Sequence, residues 1–84
     1  MPTIDLYGRD GCHLCDDARA RLLALQPELG FDLNEIDIES SDLLLRRHLE
    51  RIPVVEVDGI VASELVYDDA AVRARLDTVG AWPT

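Results

Sequence analysis

Lysine is missing altogether: the eight basic residues of this 84-residue chain are all arginines, set against 17 acidic ones, for a formal net charge of −9. The want of basic surface excludes two partner classes, nucleic acid and anionic membrane, because each demands a positive patch. The choice of arginine over lysine carries no function by itself. Cysteine is almost as scarce, with Cys12 and Cys15 alone. A secreted domain this small relies on several bridges that close long loops. A bridge between residues three apart removes little entropy from the unfolded chain, so this pair is not there for stability.

Also lacking are an apolar run of transmembrane length and, in the first residues, a basic stretch leading into an apolar one. The expected location is therefore cytoplasmic. There are no repeats, linkers or low-complexity segments, and the length leaves room for one domain, residues 1–84, expected to be a monomer. A hydrophobic share of 48 % can supply its core. That core must be efficient, since a chain this short buries roughly 60–65 % of its unfolded surface.

What the chain does have is a run of alternating segments. Thr3–Tyr7 alternates polar and apolar residues and predicts a strand. Gly8–Gly11 is a loop. A helix is expected from about His13 to Leu25, with Leu14, Ala18, Leu22 and Leu25 on its apolar stripe. Asp16 and Asp17 sit in its first turn, complementing the helix dipole. Pro27 and Gly30 then break it. Phe31–Ile38 reads as a second strand, with a register irregularity near Asn34. Ser40 or Ser41 caps a helix over Asp42–Leu49, whose i,i+4 pairs are Leu44 with His48 and Leu45 with Leu49. Val54–Val57 and Ile60–Ser63 flank Asp58-Gly59, a hairpin signal. Asp68 or Asp69 caps a last helix to about Val79, which turns Val72, Leu76 and Val79 inward; Trp82 is expected to dock the tail. The order β-α-β-α-β-β-α implies an α/β fold. Its opening βαβ unit gives a parallel pair and its hairpin adds antiparallel strands, making a mixed four-stranded sheet covered by three helices.

The chemistry concentrates in Cys12-His13-Leu14-Cys15, at the junction of the first strand and helix. A C-x-x-C in that context is a dithiol–disulfide signature. Cys12 at the helix N-terminus meets exposed N–H groups and the positive end of the dipole, which favour thiolate. Cys15, one turn on, is placed to resolve a mixed disulfide. His13, if protonated, adds to thiolate stabilisation, whereas Asp16 and Asp17 oppose it. The same four residues hold three zinc-type ligands, but a closed zinc site wants four, and the other histidine, His48, has no cysteine near it. No metal site is therefore assigned. A non-catalytic module on the same fold, redox-sensing or binding zinc or a bridged iron–sulfur cluster, is the competing class.

Tyr7-Gly8-Arg9-Asp10-Gly11-Cys12-His13-Leu14-Cys15 and Arg51-Ile52-Pro53-Val54-Val55-Glu56-Val57-Asp58-Gly59 resemble the thioredoxin-fold superfamily, and within it the glutaredoxin-like proteins of a Cys-His-Leu-Cys branch. The resemblance implies a small thiol–disulfide oxidoreductase with Cys12 as nucleophile and Cys15 as resolving thiol. Pro53 matches a cis-proline facing the dithiol, its neighbour Ile52 lying where the backbone pairs with substrate. Arg9 matches a basic residue used toward glutathione's carboxylate. In this fold Arg9 and Arg51 flank the dithiol as a local positive focus for an anionic substrate, His13 is a further substrate-binding candidate, and Asp69, or its neighbour Asp68, stands where relatives contact a substrate amine. Tyr7 is read as a packing residue. The implied substrate is a disulfide-bearing protein or small thiol. There is no resident cofactor, and the external reductant is glutathione, as co-substrate, or a thioredoxin-reductase-type enzyme. Two departures argue against glutathione. Ala62-Ser63-Glu64 stands where glutathione-binding members carry a Gly-Gly turn, and Asp10 replaces the usual proline.

Overall fold

In the computed structural model, which describes residues 2–80 and the side chains up to Thr78, strand pairing follows the expected order. β1 (Thr3–Gly8), α1 (His13–Leu29), β2 (Asp32–Asp37), α2 (Asp42–His48), β3 (Val54–Val57), β4 (Ile60–Glu64) and α3 (Asp69–Gly80) succeed one another, with a 3-10 turn over Ile38–Ser40 before α2. The sheet order is β2-β1-β3-β4. β1 runs parallel to β2 and antiparallel to β3, and β3 pairs antiparallel with β4. This is the mixed four-stranded sheet with three helices that the element order implies.

Side-chain alternation gives the sheet two unlike faces. Ile4, Leu6, Val55 and Val57 meet Ala18, Leu22 and Leu25 of α1, Val72 and Leu76 of α3, and Phe31 and Tyr67 in one apolar core. A smaller cluster joins Cys15, Ile38 and Ile52 with the partly buried Tyr7, Cys12, Leu44 and Leu45. Asp58 and Gly59 both take positive φ, 49° and 85°, the pair of left-handed residues that a two-residue hairpin turn requires. Ser41 caps α2 by accepting from the Leu44 amide, at 3.4 Å.

Four expectations need correction. α1 does not stop at Leu25 but continues to Leu29 with Pro27 inside it. Pro27 is exposed and near the helix end, where one missing N–H costs little. The turn beyond Leu25 also packs Leu29 on the core, and the stop is Gly30, left-handed at φ 67°, its amide donating to the Gln26 carbonyl at 2.9 Å. The buried stripe of α1 runs through Cys15, Ala18, Leu22 and Leu25, whereas Leu14 is 47 % exposed. Cys15 takes the inward phase because Gly8 opposite it has no side chain. β2 pairs in regular register past Asn34, whose amide donates to Asp5 (3.0 Å). The irregularity lies instead between Val55 and Glu56, where β4 has one extra residue, Ala62. β2 and α2 also end one residue early, at Asp37 and His48, leaving Ile38 in the 3-10 turn and Leu49 as the C-cap. The inward placement of Val79 and the docking of Trp82 concern side chains outside the described residues.

Candidate active site

β1 ends in Gly8, and the Arg9–Gly11 loop, with Gly11 at φ 78°, turns the chain into α1. Cys12 is the N-cap of that helix, with extended backbone (φ −97°, ψ 106°). Its Sγ accepts a hydrogen bond from the Cys15 amide at 3.1 Å, so the sulfur occupies the place a serine or aspartate oxygen takes in an ordinary cap. An anionic sulfur there faces donors and the positive end of a 17-residue helix, which favours thiolate over thiol. Cys15 lies one turn in, 6 % exposed, with the two Cα atoms 5.2 Å apart and the sulfurs joined as a disulfide. The half-buried Cys12 and the buried Cys15 thus divide into an outer and an inner sulfur.

Gly8 makes this arrangement possible. A Cβ on it would stand 3.1 Å from both Cβ and Sγ of Cys15, a tight contact that Cys15 could meet only by shifting a few tenths of an ångström. Ile52 packs in the cluster around Cys15, and the Ile52–Pro53 peptide bond is cis. Arg9 shares with Cys15 the wall of a cleft of about 360 Å³, lined also by Gly8, Asp10, Asp16 and Asp37. Its guanidinium lies 3.8 Å from Glu39. His13 is exposed at the first position of α1. Arg51 donates from Nε to Glu64 at 3.2 Å, with a second, shorter contact from its terminal nitrogen to the same oxygen. That pairing holds its proton more firmly than an ordinary arginine's. Asp69 accepts from Arg73 Nε (2.8 Å) and from the Tyr67 hydroxyl (3.4 Å). Burial, and then the Asp69 charge, push the Tyr67 phenol well up from its ordinary value. Asp68, one residue earlier, caps α3 by accepting from the Ala71 amide at 3.1 Å.

The structure therefore brings Cys12, Cys15, Ile52 and Pro53 together and sets Arg9 in the cleft beside Cys15. It matches the guanidiniums of Arg9 and Arg51, and the carboxylate of Asp69, with partners inside the chain. The left-handed residue after the hairpin is Leu65, φ 63°, while Ala62–Glu64 belong to β4. The Leu65 amide donates to the Arg51 carbonyl at 3.0 Å, so the 64–66 segment borders the approach to Pro53. Two buried polar residues escape a reading of the sequence for chemistry. Ser63 accepts from the Asp68 amide (3.0 Å) and donates to the Val66 carbonyl (3.4 Å). His48 is sealed beneath α2, and its only signal in the sequence is its place four residues after Leu44 on an apolar stripe. Among the described residues no three His, Cys, Asp or Glu side chains are grouped so as to hold a metal ion, and no helix is long and apolar enough to cross a membrane.

A parallel β1–β2 pair, an antiparallel hairpin, and a cysteine pair at the N-terminus of the first helix beside a cis-proline define a thioredoxin-like fold whose dithiol fits a redox function. Residues 3–77 match the family described as Glutaredoxin-like domain (DUF836), and the chain belongs to it. It is 34 % identical to Uncharacterized protein Rv0508 of Mycobacterium tuberculosis, across 89 % of this chain and 82 % of that protein. Among solved structures it is similar to protein Ne2328 from Nitrosomonas europaea (TM-score 0.78, 30 % identity, 88 % and 89 % of the two chains). At 12 % identity it shares its fold with the oxidised thioredoxin of Plasmodium falciparum, with a TM-score of 0.63 over 93 % and 80 % of the chains.

Proposed function

We propose that this protein is a small thiol–disulfide oxidoreductase. The observation that carries the reading is the capping geometry of Cys12, whose sulfur takes the Cys15 amide at the head of α1. In the reduced protein the Cys12 thiolate attacks one sulfur of a substrate disulfide. A Cys12–substrate bond forms and the other substrate sulfur leaves as thiolate. Cys15, deprotonated in turn, attacks Cys12 Sγ, closing the Cys12–Cys15 disulfide and releasing the second substrate thiol. Two electrons have passed from the dithiol to the substrate, and an external thiol reductant must return them.

In this reading Ile52 and Pro53 form the surface against which a substrate chain lies beside the dithiol, Arg9 faces a group entering the cleft, and His13 lies on the outer approach. Arg51 and Asp69 take part only by giving up Glu64 and the Arg73–Tyr67 pair. Glu64 beside Arg51, in a chain of net charge −9, favours a neutral or cationic disulfide-bearing protein over glutathione, which is an anion. A thioredoxin-reductase-type enzyme then fits better as reductant than glutathione, and the cytoplasm, where thiols are kept reduced, is the fitting compartment.

A redox titration of the purified protein, read by intact mass and thiol trapping, tests this. Cys12 and Cys15 should interconvert through one disulfide, at a potential between roughly −270 and −120 mV. Cys15→Ser should accumulate a mixed disulfide on Cys12. A pair that resists oxidation, or a Cys15→Ser protein that traps nothing, sinks the proposal.

A further inference from the structure

His48 is 2 % exposed, and among the described residues neither its Nδ1 nor its Nε2 finds a hydrogen-bond partner. A neutral imidazole carries one donor and one acceptor, so both are unmatched, a condition native interiors rarely keep without a reason. Two contacts tie the residue to the dithiol. Its backbone carbonyl accepts from the Arg51 amide at 2.8 Å and the Ile52 amide at 3.0 Å, and Ile52 packs in the cluster around Cys15. Its ring lies against Tyr7, centroids 4.4 Å apart at an interplanar angle of 30°, and Tyr7 packs on that same cluster.

We propose that His48 is a positioning residue for the dithiol: its neutral ring holds Tyr7 and the 49–53 segment against the two cysteines, and protonation releases them. That the release regulates disulfide exchange rests on the oxidoreductase reading; the release itself does not.

The charges facing the ring come from several elements. Arg47 is on α2 and Arg51 follows it; Glu56 is on β3 and Glu64 on β4. Tyr7 comes from β1, where Asp5 also faces it, and its hydroxyl donates to Glu56 at 3.3 Å. Burial first, and then Arg51, hold the imidazole below its ordinary value of 6.5, with Arg47 adding to them and Glu56 and Glu64 opposing. Each glutamate already has a partner, Tyr7 and Arg51 respectively, so an imidazolium enters a site whose anions are engaged. The sign follows. With the folded value depressed, the opened chain binds the proton first as pH falls through 6.5, and closure weakens until the folded value is passed. The opening is local, because α2 is seven residues long and contributes nothing to the large core on the other face.

The test uses Cys12→Ser protein, in which Cys15 is the lone thiol and no internal disulfide can form. On going from about pH 7.5 to about pH 5, protection of the Arg51 and Ile52 amides against hydrogen exchange should fall by about three- to thirtyfold. Reactivity of Cys15 with a dipyridyl disulfide should rise by a similar factor relative to Cys12→Ser/His48→Phe. The phenylalanine keeps a ring against Tyr7 and cannot charge, so in that variant both readouts should stay flat once intrinsic rates are divided out. Should the double variant fail to fold, an NMR titration of the His48 ring in Cys12→Ser decides, since protection must fall along that ring's own titration. Protection indifferent to it, or lost equally in His48→Phe, overturns the proposal. Neither readout involves turnover, so a wild-type protein without exchange activity removes the oxidoreductase reading alone.

Discussion

The two clusters of this molecule are built from different materials. Under α1 and α3 the buried side chains are almost all aliphatic: Ile4, Leu6, Leu22, Leu25, Val55, Val57, Val72 and Leu76, with Phe31 and Tyr67. At the end of β1 the smaller cluster mixes Ile38 and Ile52 with two sulfurs and a tyrosine that stacks on a buried histidine. The first arrangement maximises apolar area removed from water, the largest favourable term in folding. The second gives up some of that area to place groups that can ionise or exchange bonds. Stability and chemistry thus draw on different clusters that meet along α1, whose buried stripe carries both Leu22 and Cys15, and each can be disturbed with limited effect on the other.

The largest expected effect comes from emptying the aliphatic side. Leu22 is fully buried in α1. Leu22→Ala should cost about 2–5 kcal/mol, from lost transfer energy and the cavity left behind. A domain of this size has on the order of 5–15 kcal/mol to lose, so the denaturation midpoint should drop sharply. At a temperature where the variant stays folded, its dithiol potential should match wild type. A potential that moves with Leu22 means the two clusters are one.

Gly8→Ala attacks the boundary from the other side. The added Cβ sits 3.1 Å from Cys15 Cβ and Sγ, and Cys15 must yield by a few tenths of an ångström. Overpacking of this kind costs about 1–3 kcal/mol, less than Leu22→Ala, yet here the dithiol potential and the rate of closure onto Cys12 should change. Gly11→Ala is the control. Its Cβ meets nothing within 4 Å, so the penalty is the left-handed backbone at φ 78° and not a push on sulfur.

Smaller again is Ser63→Ala. The hydroxyl is buried and takes the Asp68 amide while donating to the Val66 carbonyl, so it pins the 64–67 turn beside Arg51. Its removal leaves the amide without an acceptor, at a cost of about 1 kcal/mol or somewhat more. Amide exchange at Asp68 and Leu65 should quicken while the core strands keep their protection. Uniform quickening across β1 and β3 is the opposite outcome, and makes the turn part of the global unit.

Much of this architecture was legible in the residues. The alternation of Thr3–Tyr7, the Asp58-Gly59 pair and the cap at Ser41 depend on near neighbours, and those elements lie where local rules place them. The dithiol at the head of the first helix was legible for the same reason, since strand, glycine turn and helix start are all local. What failed depended on distant partners. Pro27 stays within α1 because Leu29 packs on the core and Gly30 carries the stop, and neither outweighs a proline in a window of local propensity. Leu14 and Cys15 are adjacent, and which of them turns inward is settled by the missing side chain at Gly8. His48 showed only its place on the Leu44 stripe and nothing of its contact with Tyr7, and Arg51 looked open to an anion until β4 put Glu64 against it.

That last pair yields the smallest effect on the fold and the sharpest one on selectivity. Arg51 and Glu64 are both well exposed, at 40 % and 39 % of their side chains, so solvent screens the attraction between them. Glu64→Gln should therefore leave the denaturation midpoint unmoved. It removes one negative charge and leaves the Arg51 charge unneutralised next to Pro53, along the approach to the dithiol. Rates toward an anionic disulfide such as glutathione disulfide should then rise by about two- to tenfold at low ionic strength, with the gain shrinking as salt is added. Rates toward a neutral disulfide should stay put, so the informative quantity is the ratio of the two kcat/KM values in variant and wild type. A ratio unchanged at every salt concentration would take Arg51 off the substrate path. A ratio that shifts only at low salt makes the pair a long-range filter, and one that persists at high salt makes Arg51 a direct contact.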